Sequence, residues 1–359
     1  GRPPCRMIRP TSRIAAVYLL PLVSCIRAAP VPPAPATPLD GRWVLRGDVV
    51  SVANLAGELR VEPGSGPDVV VEARARGPAA AMMRAELERR DEGDALRVRF
   101  AGRRLVFADL AGRSDSIEVR PHGDGYAPAG GLLDKLLRRP APLRMVRRGP
   151  GPAAASDLTV YLPPGRRARL YAAAGTVVIA RAHGEMHIVS LHAPVRADAP
   201  DGSLHVRTHD APVEARGGAA ALSVRTRAGD VDLAGVRGPR IDVRTTAGAV
   251  WASDASAPWI RLATQAGSLT LQRAQARRIA LDTGAGSIAG SELTADTVSA
   301  ETGAGRIVLE GVSANDVTLS TGKGDVRLVL TREPARLDVD AGGDVAVETE
   351  AGAPRPRQR

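Results

Sequence analysis

Between residues 222 and 330 apolar and polar positions alternate, and the frame of that alternation returns every nineteen residues. Aligned on Leu222, Ile241, Ile260, Ile279, Val298 and Val317, the third position reads Val224, Val243, Leu262, Leu281, Ala300 and Leu319, and the tenth reads Val231, Val250, Leu269, Ile288, Ile307 and Val326. The fifth position is always threonine: Thr226, Thr245, Thr264, Thr283, Thr302 and Thr321. The eighth is always glycine: Gly229, Gly248, Gly267, Gly286, Gly305 and Gly324. Alternation at period two is the mark of a strand with one buried face. A glycine at fixed phase marks a turn that needs a positive φ or has no room for a side chain. A unit of strand, Gly turn, strand and looser return cannot bury its apolar row alone, so copies must stack, each strand pairing with the next coil. The predicted fold is therefore all-β, a single-stranded parallel β-helix or β-solenoid with coils of about 19 residues. Its crossovers are expected to be right-handed, as parallel crossovers generally are. Its inward columns are aliphatic, with a threonine ladder whose hydroxyls can bond along the stack.

Weaker copies extend the frame. Coils start at Ala168, Met186 and Leu204 with eighteen-residue spacing and at Leu337 after twenty, and Ala193 and Ala211 replace the turn glycine in two of them. Ten coils at ~4.8 Å per strand make a rod of roughly 50 Å. Residues 156–350 are thus read as the solenoid. In residues 40–110 the stretch "VVSVANLAGELRV" puts Val50, Val52, Asn54, Gly57, Leu59 and Val61 at template positions, which predicts a β module that starts or caps the stack. Residues 111–155 lack the phasing and are rich in Gly, Pro and Arg. They read as a solvated basic insertion whose leucines cover the end of the solenoid. The alternative is a short amphipathic helix in which Leu132, Leu133, Leu136 and Leu137 back a row of cations, Arg138 and Arg139 with Arg144, Arg147 and Arg148, facing anionic lipid or an acidic polymer. Pro140 and Pro142 would end it early.

The net charge of +10 suggests nucleic acid only until it is located. Most of the excess falls in residues 1–27, in 111–155 and in the basic tail 351–359, outside the repeats. Aromatics make up 3% of the chain, so stacking platforms for bases are scarce. No nucleic-acid partner is expected. Arginine outnumbers lysine so heavily, with only Lys135 and Lys323 as Lys, that the bias reads as a GC-rich bacterial genome.

The stretch "IRPTSRIAAVYLLPLVSC" after Met7 has the basic and apolar regions of a secretory signal, with an apolar run too short for a permanent span. Met7 is read as the start and 1–27 as the signal region. Leu22-Val23-Ser24-Cys25 resembles a bacterial lipobox, which predicts lipidation of Cys25; ordinary cleavage near Ala28 is the alternative. Residues 28–39 form an Ala/Pro-rich tether. The expected location is the cell envelope, with the membrane as a partner through the lipid anchor.

Candidate chemistry is sparse. His187 and His205 share an outward column, and with His183 or Glu185 they are a conceivable divalent-metal site, but no fixed third ligand is evident. Asp282 and Glu301 share another column and suggest acid/base chemistry, weakened because the sequence puts no Arg, Tyr or His at their height. Lys323 in "TGKG" precedes a strand rather than a helix, unlike a phosphate loop. A calcium roll would repeat its aspartate, whereas Asp230 and Asp325 are replaced by Ala249, Ser268, Ser287 and Arg306 in the other coils. No catalytic residue, metal or cofactor is predicted.

The pieces "VVSVANLAGELRVEPGSGPDVVVEARARG", "DLTVYLPPGRRARLYAAAGTVVI", "VRTRAGDVDL" and "LSTGKGDVRL" resemble a bacterial family of adhesin-like cell-envelope proteins of unknown function, over roughly 45–110 and 156–350. The resemblance implies an exported β-helical domain and carries no catalytic residues. The expected function is a non-enzymatic envelope lipoprotein that presents the solenoid as a binding or scaffold surface to an envelope protein or polysaccharide. The alternatives are a periplasmic accessory to an envelope-stress or membrane-remodelling system and a polysaccharide-active enzyme on a β-helix.

Overall fold

The computed structural model describes residues 37–111, 114–129 and 142–349. Cys25, most of the tether, the 132–139 Leu/Arg stretch and the tail 351–359 lie outside the described residues. The fold is the predicted β-solenoid of about ten turns. On its first side Ala168, Met186, Leu204, Leu222, Ile241, Ile260, Ile279, Val298, Val317 and Leu337 pair in parallel register, coil upon coil. The second side is a parallel column from Val177 through Val195, Val213, Val231, Val250, Leu269, Ile288, Ile307 and Val326 to Val345. Both columns point inward and are buried until the last coil, where Leu337 is 37% exposed.

The return is more ordered than a loose connection. Ala274, Leu293 and Val312 stack on a third side, and the strands Ile288–Thr302 and Ile307–Thr321 run from the second side through the third into the next coil. The corner between the second and third sides is a column of left-handed residues: Arg181, Ala199, Gly217, Gly235, Asp254, Arg273, Glu292 and Gly311, with φ from 46° to 67°. Five of the eight are not glycine, so each accepts backbone strain to keep the corner in phase.

The first turn works differently. None of its six glycines has a positive φ. A Cβ on Gly286 would lie 1.8 Å from the carbonyl oxygen of Gly267 in the coil before, and one on Gly305 would lie 1.9 Å from that of Gly286. Lack of space, not backbone conformation, fixes the residue. That close approach brings the glycine carbonyl within reach of the threonine ladder. Each threonine Oγ1 accepts the N–H of the glycine three residues on, at 2.8–3.1 Å. From Thr245 onward it also donates to the preceding coil's glycine carbonyl, at 2.8–3.5 Å. The hydroxyls therefore bond along the stack by way of the turn backbone rather than to one another.

At the N-terminal end the strand Val49–Pro63 lies in parallel register on Arg167–Ala180, pairing Val50 with Ala168 and Gly57 with Gly175. Asn54 takes the ladder position there, and its amide donates to the carbonyls of Glu58 and Ser156 at 3.0 and 2.8 Å. Antiparallel pairing around this strand, Gly41–Leu45 with Val69–Arg76 and Met83–Glu88 with Ala95–Phe100, departs from the solenoid pattern.

The segment 111–155 is not an irregular insertion where it is described. Ser116–His122, Gly125–Pro128 and Leu143–Val146 form a four-stranded sheet with Arg104–Val106. This sheet draws on both sides of the 110/111 divide that phasing suggested. It docks on the outward face of the first layers: buried Tyr126 donates its hydroxyl to the Val98 carbonyl, Asp124 accepts from the Ser51 hydroxyl at 2.8 Å, and Gly125 lies against the ring of Tyr171.

Candidate functional site

The outward positions of the first side carry the most chemistry. His187 and His205 pair in register, and their rings stack with centroids 4.6 Å apart and planes 18° from parallel. Stacked rings direct their nitrogen lone pairs along parallel planes, not toward one point between them. His187 Nε2 sits 2.9 Å from Glu185, His205 Nε2 3.0 Å from the Ser203 hydroxyl, and His183 turns away to Asp201 at 2.9 Å. Among the described residues no group of three or more His, Cys, Asp or Glu side chains is placed to hold a metal ion.

A groove of about 420 Å³ opens beside this pair, lined by His187, His205, Arg207, Ser223, Arg225 and Arg240. Arg207 and Arg225 stand in one outward column, in adjacent coils in register, and neither has an acidic partner among the described residues. The groove's one acid, buried Asp242, is already shared by Arg240 at 3.4 Å and Arg244 at 3.3 Å. Arg240 is held at the rim by its guanidinium lying 3.7 Å from the ring centroid of Trp259. Burial pushes the His205 imidazole below the ordinary histidine value, and the neighbouring His187, Arg207 and Arg225 push it the same way. Arginines of the repeats are thus gathered here, although most of the chain's excess charge lies outside the repeats.

Farther along the same side the sign reverses. Asp282 and Glu301 are paired in register as expected, followed by Asp338 and Asp340. The expectation that no cation accompanies them does not hold, since Arg261 reaches Asp282 at 3.6 Å and Arg278 lines the same shallow groove. Lys323 lies in the turn after Thr321, which leads into the strand Val326–Leu330 and no helix. Asp230 and Asp325 act as struts: their Oδ1 atoms accept the N–H groups of Ala249 and Asp344 in the next coil, at 2.9 and 3.2 Å. A further cluster escaped the sequence reading. His192 Nδ1 lies 2.8 Å from Asp210, while His209 accepts Arg227 at 2.8 Å, all at the first turn of neighbouring coils.

The family model described as Toastrack DUF4097 matches residues 153–351, and the chain belongs to that family, a domain of unknown function. No curated protein and no solved structure matches the chain.

Proposed function

We propose that this chain is a non-enzymatic cell-envelope protein, adhesin-like in role, that is anchored through a lipid on Cys25 and displays its solenoid as a binding surface. The observation that carries the reading is the contrast between the two faces of one strand column. Inward positions repeat the same aliphatic and threonine residues coil after coil, while the outward positions of the same strands change from arginine and histidine to aspartate and glutamate. A uniform interior specifies a rod, and a varied, charged exterior on that rod is what recognition needs.

The test has two arms. Fatty-acid labelling and membrane fractionation of the full chain should show label and membrane retention, both lost in Cys25→Ser; unlabelled wild-type protein in the soluble fraction would reject the anchor. Immobilised full chain should retain envelope glycans without releasing soluble fragments. Fragment release that disappears in Asp282→Ala or Glu301→Ala would replace this reading with the enzyme alternative.

A further inference from the structure

The groove at His187, His205, Arg207 and Arg225 has a property that folding alone does not explain. Arg207 and Arg225 occupy adjacent strands of a parallel sheet, ~4.8 Å apart at the backbone, with no carboxylate between them. Like charges placed directly opposite in neighbouring strands are destabilising. Like charges also face each other in register at Arg225 with Arg244 and at Asp282 with Glu301, but there a counter-charge is in reach, Asp242 at 3.3 Å from Arg244 and Arg261 at 3.6 Å from Asp282, whereas Arg207 and Arg225 have none among the described residues. An external anion at the groove would remove the repulsion that the fold leaves in place.

The form of that anion follows from the surroundings. Guanidinium groups form planar forks that match a carboxylate in a bidentate manner. Arginines recur along this face, Arg169 in the column of His187 and His205 and Arg207, Arg225 and Arg244 in register in another outward column, so a ligand with anions repeated along a line meets several at once. The layer spacing is comparable to the length of one pyranose in an extended chain. Ser203 and Ser223 add hydroxyls among the cations, fit for sugar hydroxyls. Single-stranded nucleic acid would want open aromatic faces, and the aromatic at this rim, Trp259, is already covered by Arg240. The basic stretch is bounded on one side by the small sheet against Tyr171 and on the other by Asp282 and Glu301, which would repel a polyanion. That selects a short segment of a longer polymer.

We propose that the outward face from Arg169 to Arg261 binds a carboxylated, uronate-type polysaccharide, with Arg207 and Arg225 as its central contacts. The proposal rests on the display reading above and names its ligand class. Binding by the full chain would be measured with polygalacturonate, against dextran as a neutral chain and polyphosphate and single-stranded DNA as other polyanions. Polygalacturonate should bind, and dextran should not. Arg207→Gln with Arg225→Gln should weaken binding by about tenfold or more, as expected for the loss of charge-assisted contacts. Arg196→Gln with Arg216→Gln removes the same charge from the second side and should leave binding unchanged. Both pairs of arginines are exposed, and matching unfolding midpoints would establish that each variant folds.

Equal losses from the two pairs would reduce the effect to net charge and overturn the site. Tighter binding of polyphosphate or DNA than of polygalacturonate would overturn the carboxylate assignment. Self-association at low salt, lost in Arg207→Gln with Arg225→Gln and without polymer binding, would make the acidic stretch of a second copy the ligand instead. If polygalacturonate fails to bind while the immobilised chain still retains envelope glycans, the uronate assignment falls and the display reading stands.

Discussion

Each threonine of the ladder ties two layers together through one oxygen, so its value lies in the hydroxyl more than in its packing. Thr283 accepts from Gly286 N–H at 3.1 Å and donates to the Gly267 carbonyl at 3.0 Å. Thr283→Val keeps the shape and removes both bonds in a buried site, which should cost about 2–4 kcal/mol, since a buried polar group left unpaired costs ~1–3 kcal/mol. Thr283→Ser keeps the oxygen and should lose only about 1 kcal/mol for the missing methyl. Urea midpoints of the two variants should fall in that order, and equal midpoints would show that the ladder is held by packing. The turn glycines give a sharper comparison. Gly311 has φ +67° but nothing closer than 3.5 Å to an added Cβ, so Gly311→Ala meets only backbone strain of about 1–2 kcal/mol. Gly305→Ala must move the neighbouring coil's backbone and should be the more damaging of the two, although its φ suits any residue.

The elements of a coil differ in how firmly their lengths are set. Leu204 to Val213, Leu222 to Val231 and Ile279 to Ile288 are each nine residues, so the step from first to second side holds in eighteen- and nineteen-residue coils alike. The extra residue enters on the return: Val213 to Leu222 is nine residues, whereas Val231 to Ile241 is ten. The physical reason is the threonine clasp, which fixes the first turn at three residues from Thr to Gly, while nothing comparable spans the third side. One alanine inserted between Ala276 and Arg277, on the return, should leave the circular dichroism and unfolding midpoint nearly unchanged. One inserted between Gly284 and Ala285 should break the clasp and lower the midpoint sharply, and equal tolerance at both places would show that the turn is not the governing element. The same contrast explains what could be read beforehand. The first turn demands Thr and Gly, so the coil frame was legible residue by residue. The left-handed corner accepts Arg, Ala, Gly, Asp and Glu, so it leaves no pattern, and the return looked loose for that reason. The sheet at 116–146 is built from short strands outside the period, and its anchor, Tyr126 under Val98, is a long-range contact that local pattern does not reveal. At the candidate site the histidine pair followed from the repeat spacing. Arg207 and Arg225 were overlooked because what distinguishes them is that no carboxylate of the neighbouring coils pairs with them, Asp242 being taken by Arg240 and Arg244, a property of register rather than of composition.

At the scale of the whole molecule the coils are interchangeable inside and individual outside. The interior columns present nearly the same aliphatic side chains at each level, so removing one full coil should bring two compatible layers together. Deleting residues 260–278 places Ile279 after Trp259, so that Thr283 faces the Gly248 carbonyl in place of Gly267 and every lower and upper layer keeps its pairing. The shortened chain should fold, with the stack reduced by one strand spacing of ~4.8 Å. Its lost stability should be that of one layer and one interface, because each coil contacts only its neighbours. Deleting 260–273 instead would leave residues 274–278 between Trp259 and Ile279 and so put every following coil out of step with the coil before, and this variant should aggregate or remain unfolded. The full-coil deletion also separates the two roles of the rod, since it removes Arg261 but leaves Arg207 and Arg225 and their register untouched. Polygalacturonate binding should therefore persist in the shortened chain, read by the same equilibrium measurement. A well-folded 260–278 deletion that no longer binds would place the central contacts nearer Arg261 than the groove geometry does.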